Sequence, residues 1–258
     1  MRYALGIEYD GSGFNGWQSQ RDDPSVQVCL QQALAIVADH EVTLNCAGRT
    51  DTGVHAICQV AHFDSGSKRS ERQWILGINS NLPDAVSVRW VKLVSEDFHA
   101  RFSAYRRSYR YVILNRWVRP ALRAELVSWY RKPLDEVRMN DAVACLAGEH
   151  DFSAFRSAGC SALHAVREIS EAVVRREGEE VIFEISANGF LYHMVRNIVG
   201  SLLQIGTGEK PVEWLSELLE GRDRKQAGMK APAQGLYFMN AHYPESFGIP
   251  AEMKAFPA

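Results

Sequence analysis

The sequence lacks a cysteine framework. Its five cysteines, Cys29, Cys46, Cys58, Cys145 and Cys160, are odd in number and spread along 258 residues, with neither a CxxC pair nor a Cys/His cluster. A disulfide scaffold and a zinc site are therefore both disfavoured, and a reducing compartment is the default. No apolar run approaches the roughly 20 residues that a membrane-spanning helix needs, and the opening MRYALGIEYD brings acids too early for a secretory leader. These absences predict a cytoplasmic protein with no membrane and no metal. An excess of charge is missing too: 29 Lys and Arg against 31 Asp and Glu leave a formal net charge of -2, which, if evenly spread, argues against a nucleic-acid ligand. What remains, 46% hydrophobic and 23% charged residues, is ordinary for a globular chain able to bury a sizeable core.

The charge is not evenly spread. Between Asp97 and Glu125 there is no acid, whereas Arg101, Arg106, Arg107, Arg110, Arg116, Arg119 and Arg123 fall there, interleaved with Phe98, Phe102, Tyr105, Tyr109, Tyr111 and Trp117. Such a stripe is the expected footprint of phosphates and exposed bases. The competing reading is a solvated strand whose arginines pair with acids elsewhere.

One loop stands apart from the core-forming pattern. Asn45 to Ala56, NCAGRTDTGVHA, sets Arg49 and Asp51 among Gly, Thr and Asn between two apolar segments. Gly48 and Gly53 let a ligand approach the main chain and aim what lies between them, including a lone acid. Around the loop, strands and helices alternate. Tyr3, Leu5, Ile7 and Tyr9 have the period of a strand with one buried face, followed by a glycine turn, DGSGFNGW, that holds Phe14 and Trp17. Ser25 is the expected N-cap of a helix with Val26, Leu30, Ala33, Leu34 and Val37 on one side. Val42 to Cys46 and Ile57 to Phe63 read as the strands flanking the loop, Ser70 with Gln73 as a capping box, and Val86 to Val94 as a further strand.

The second half repeats this alternation. A strand from about Tyr105 to Leu114 puts Arg107, Tyr109 and Tyr111 on one face. Asp135 caps a helix, and Val166 to Arg175 with Val181 to Ala187 form a hairpin. Phe190 to Gly206 is an apolar helix containing Arg196, Val212 to Gly221 an amphipathic one, and Gln234 to Tyr243 a closing strand. An arginine on so apolar a helix needs an anionic partner or solvent, and Asp51 is one candidate. The order predicts an α+β fold, with helices gathered on one face of mainly antiparallel or mixed sheet.

Six segments in order, GRTDTGVHA, FHARFSA, the SYRY strand, DFSAFR, HMVRNIVGSLL and QGLYF, resemble those of the tRNA pseudouridine synthase I (TruA) family, over about Tyr3 to Tyr243. The resemblance implies two similar domains, here 1–105 with the Asp loop and 106–258 completing a cleft, and a homodimer. It also implies isomerisation of uridine to pseudouridine in the anticodon stem-loop of tRNA, with no metal or organic cofactor. By the same resemblance Asp51 is the catalytic carboxylate, attacking C1′ or assisting glycal formation. Tyr109 stacks on the uracil, Arg196 is the counter-ion of Asp51, and Leu236 packs beside them. Arg49 contacts the flipped nucleotide's place, and Arg69, Phe98, His99, Arg101, Phe102 and Tyr130 lie along the tRNA path.

His55, His62, His99 and His193 have no second ligand at metal spacing and read as structural. The chain departs from the family in GCSALHAVRE, Gly159 to Glu168, where Leu163, His164 and Ala165 replace a polar, basic stretch. A phosphate contact there would fall to Arg156 or Arg167. Two other classes compete. A non-catalytic structured-RNA-binding protein would use the same basic stripe but would have no need of Asp51. A hydrolase with an Asp nucleophile would want a second carboxylate roughly 5 to 9.5 Å away, and only Glu8 and Asp10 are candidates.

Overall fold

The computed structural model describes residues 1–18 and 24–250. The chain folds into two compact units: Met1–Arg107 with the chain from Tyr237 onward, and Ser108–Leu236. This differs from a single cut after residue 105, because the last strand returns to the first unit.

In the first unit, β1 (Arg2–Tyr9) is central. It runs antiparallel to β3 (His55–Asp64) on one side and β4 (Val86–Val94) on the other. The last strand, β10 (Leu236–His242), lies parallel to β3, with Tyr237 opposite His55 and Phe238 opposite Ala56. A two-residue β2 (Asn45–Cys46) is all that forms of the expected strand from Val42. Helix α1 (Val26–Ala38) starts as its sequence asks, with the Ser25 side chain accepting from the Val28 amide, a cap worth about 1 kcal/mol. Helix α2 (Glu71–Asn79) carries the complete Ser70/Gln73 capping box.

The expectation of one buried face on β1 is corrected. Tyr3 packs against Phe63 and Trp74 on one side, yet Ala4, on the opposite side, is also fully buried. Its cross-strand partner is His62, whose ring meets Phe98 and His99 and whose Nδ1 accepts from the Ala100 amide. The segment following β4 therefore closes the second face. A central strand covered on both sides loses the polar alternation that marks a half-buried one.

The second unit has the strand order β5 (Arg106–Asn115), β9 (Glu180–Ala187), β8 (Val166–Glu177), β7 (Gly148–Asp151), with β6 (Ser128–Tyr130) parallel to β5. Both β6 and β7 are absent from the sequence expectation, being three and four residues long. The predicted hairpin forms, Glu177 opposite Glu180. Asp135 caps α3 (Glu136–Val143) by accepting from the Arg138 amide.

Helix α4 (Met194–Gly206) begins four residues later than its apolar pattern suggests, because His193 adopts φ 61, a left-handed conformation that a helix interior excludes. It is central as expected, with Met194, Ile198, Val199, Leu202 and Ile205 buried. Its buried Asn197 is satisfied on every side, donating to the Phe155 carbonyl and accepting from Arg224. Helix α5 (Trp214–Gly221) completes the unit. Among the described residues no helix is long and apolar enough to cross a membrane.

Candidate active site

The Asp51 loop is held by its main chain. Ala47 N–H donates to the Val60 carbonyl at 2.8 Å, Trp17 N–H to the Thr50 carbonyl at 3.0 Å, Gly53 N–H to the Phe14 carbonyl at 3.4 Å, and Val54 N–H to the Asp51 carbonyl at 3.1 Å. The turn after β1 thus lies directly against the loop. Gly16 makes this possible. It sits at φ 88, and a Cβ there would fall 2.6 Å from the Thr50 oxygen. Phe14 and Trp17, buried at 7% and 1% exposure, close the first turn against the loop.

Side chains fix it further. Gln59 of β3 donates from Nε2 to the Gly48 carbonyl at 2.6 Å, and the Tyr9 hydroxyl lies 2.8 Å from Thr50 Oγ1 in a buried contact. Thr50 is buried, whereas Arg49 before it is exposed and Asp51 after it is half-buried. The loop presents the two charged residues and withdraws the one between them. Glu8 and Asp10, the acids that a two-carboxylate mechanism could call on, are engaged elsewhere: Glu8 pairs with Arg89 at 3.0 Å and Asp10 accepts from the Ser12 amide at 2.9 Å. His55 is structural, its Nδ1 accepting from Gly11 N–H at 3.0 Å and its ring stacked on Tyr237.

The FHARFSA segment requires one correction. Phe98, expected on the tRNA path, is fully buried among His62, Tyr243 and Phe247, and Arg2 donates to its carbonyl. Its ring is core, because a phenyl group with apolar neighbours on three sides gains most by leaving water. Phe102 is the opposite, 76% exposed, with Arg101 over its ring at 5.7 Å and His99 beside it at 4.4 Å. His99 Nδ1 accepts from the amides of Arg101 and Phe102, so one half-buried imidazole shapes the turn that displays both. Arg69 is exposed and donates to the Val37 carbonyl at the end of α1.

In the second unit, residues 231–236 gather the others. Arg196 Nε donates to the Ala231 carbonyl at 2.8 Å, Tyr111 hydroxyl to the Pro232 carbonyl at 2.8 Å, and Val112 N–H to the Gly235 carbonyl at 2.8 Å. Leu236 follows, 5% exposed. Tyr109, two residues before buried Tyr111, is half-buried and meets Phe190 edge to face at 4.8 Å. Tyr130 is half-buried on β6. Asp51 stands in the first unit and Arg196 in the second, and their expected pairing remains an expectation.

Three of the seven arginines of the basic stripe are paired with acids. Arg110 pairs with Glu184, Arg116 with Glu179 and Arg123 with Glu180, all acids of the β8–β9 hairpin or its turn. Arg107 donates to the carbonyls of Ala104, Ala47 and Arg101. The three acids lie 57 to 74 residues away in sequence from their arginines, beyond the reach of a local reading. Arg156 and Arg167 likewise hold carbonyls of their own loop, at Cys160, Ala162, His164 and Val166. Burial tends to raise the Cys160 thiol, but amide donors and Arg156 outweigh it and leave the thiol below its ordinary range. Among the described residues no three of His, Cys, Asp and Glu gather as metal ligands.

A family model described as tRNA pseudouridine synthase matches residues 6–103 and 142–244. Proteins named tRNA pseudouridine synthase A are similar over nearly all of the chain. That of Xylella fastidiosa (strain M23) is 59% identical over 254 residues, covering 98% of this chain and 99% of its own. That of Stenotrophomonas maltophilia (strain R551-3) is 56% identical with the same coverage. That of Hydrogenovibrio crunogenus is 56% identical over 247 residues, covering 96% and 94%. The Asp51 loop and the segment Phe98 to Ser103 fall in the first matched block, Arg196 and Leu236 in the second, and the chain belongs to the tRNA pseudouridine synthase family.

Proposed function

We propose that the protein isomerises uridine to pseudouridine in tRNA, within the anticodon stem-loop, with Asp51 as its catalytic carboxylate. The reaction breaks the bond from C1′ to N1, turns the base and rejoins it through C5, so the uridine must leave its stack and stay held. The observation that carries the reading is the Asp51 loop, rigidly tied through main chain and side chains while Arg49 and Asp51 are presented. Placement of a carboxylate is what either route requires, attack at C1′ or removal of a ribose proton.

The remaining roles follow the same reading. Tyr109 offers an aromatic face for the uracil, Arg196 and Leu236 complete substrate binding, and Arg49, Arg69, His99, Arg101, Phe102 and Tyr130 contact tRNA. The protein is proposed to act as a cytoplasmic homodimer. The test is to map pseudouridine in tRNA transcripts treated with the pure protein and with Asp51→Asn. The variant should lose turnover by about a thousandfold or more while binding tRNA as the wild type does. Turnover at the wild-type rate would remove Asp51 from the mechanism, and binding without any conversion by the wild type would favour a non-catalytic RNA-binding protein.

A further inference from the structure

We infer that Tyr9, Thr50 and Gln59 form a buried positioning cluster that sets the direction of the Asp51 carboxylate, an inference that rests on the role proposed for Asp51. None of the three stands out as a reactive group. Tyr9 ends the first strand, and Gln59 sits with His62 in the otherwise apolar run ICQVAHF.

Their burial is the first argument. Tyr9 is 3% exposed, Gln59 0% and Thr50 7%. Burial pushes the Tyr9 hydroxyl well above its ordinary range, and neighbouring donors from Thr50 and Gln59 only partly offset this. The phenol therefore stays protonated at every physiological pH, a fixed donor and acceptor and not a titrating one. Gln59 lies close enough to Tyr9 to bond to it while donating to Gly48, so one chain of contacts runs Gly48, Gln59, Tyr9, Thr50.

The second argument is where that chain ends. Gly48 and Thr50 bracket Arg49, and Thr50 is bonded to Asp51. Thr50 is drawn inward and buried, while Arg49 before it is exposed and Asp51 after it is half-buried. Thr50 is held at both ends, its hydroxyl by Tyr9 and its carbonyl by the Trp17 amide. Rotation about this residue is what would swing Asp51.

The third argument is cost. Gln59 Oε1 is buried with no hydrogen-bond partner, a penalty that an aliphatic residue of similar size would not incur. The amide orientation is dictated by Gly48, whose carbonyl needs a donor. Such a local expense is typical of sites shaped by function and not by stability. The strands supply the geometry: the β1–β3 register shifts between Ile7 and Tyr9, and the β1–β4 register between Gly6 and Ile7. Bulges beside active sites re-aim side chains.

Tyr9→Phe removes the hydroxyl alone, and Thr50→Val and Thr50→Ser separate the hydroxyl from the shape. Single-turnover rates on a tRNA transcript, tRNA Kd and thermal midpoints should be measured for each. Tyr9→Phe and Thr50→Val are expected to slow the chemical step by about tenfold to hundredfold, with Kd and midpoint close to wild type, while Thr50→Ser retains the rate. Gln59→Met should slow the step without lowering the midpoint. If Tyr9→Phe matches an active wild type, or if its loss tracks Kd or midpoint, the positioning role is overturned and Asp51 keeps its own. An inert wild type overturns both.

Discussion

His62 is 3% exposed and uses Nδ1 to accept from the Ala100 amide at 3.1 Å, which a charged imidazolium cannot do. Burial, then His99 and Arg2, push its pKa down from 6.5 to about 4 against the opposing pull of Asp64. The unfolded chain thus binds the extra proton between those two values. The contribution to stability is complete above about pH 6.5 and is lost as the pH falls toward 4. Urea unfolding across that window should show a decline of up to about 3 kcal/mol, and His62→Gln, a neutral acceptor at every pH, should flatten it. A profile unchanged by the substitution would remove His62 from the account. That His62 is structural was legible from the missing second ligand. That Phe98 is core while Phe102 is displayed was not, because a motif names its residues without saying which way each one faces.

At the level of elements, the signals with a local cause were readable. Ser25, Ser70 with Gln73, and Asp135 each cap the helix their sequence announces, because a cap is satisfied by amides two or three residues away. Signals with a distant cause were not. β6 and β7 are strands only because β5 and β8 lie beside them, and Arg110 of β5 found its acid, Glu184, on a hairpin far along the chain. The contact between the first turn and the Asp51 loop belongs to the same class: Gly16 reads as one turn glycine among several until Thr50 is placed against it. Gly16→Ala should destabilise by about 2 kcal/mol through its φ and the close carbonyl, and should slow pseudouridine formation as well. Gly13→Ala, where a Cβ meets nothing within 4 Å, is the matched control. Equal urea midpoints for the two variants would refute the contact.

For the whole molecule, a net charge of -2 leaves tRNA binding to local positive surface. The observed affinity should fall as salt rises, in proportion to the phosphates neutralised. Arg101→Gln, at an exposed position, should lessen the slope by about one, whereas Arg110→Gln, at a guanidinium already paired with Glu184, should leave it unchanged. Filter-binding titrations between low and physiological salt would show it, and an equal effect of the two substitutions would contradict the division of the stripe into paired and available cations. The alternation of strand and helix in each unit was legible because hydrophobic period is a property of short windows, but the return of the last strand to the first unit was not. That return has a consequence for synthesis. Residue 237 meets residue 55 in a parallel pair, so a ribosome releases the Asp51 segment early and its neighbouring strand on the order of 10 s later. Throughout that interval β3 offers an unpaired edge, the feature by which nascent chains aggregate or recruit chaperones. A chain interrupted before β10 would carry every residue of the acidic loop and still lack the strand that seals the sheet beneath it. The edge of β3 is therefore completed only after Tyr237 and Phe238 have been synthesised.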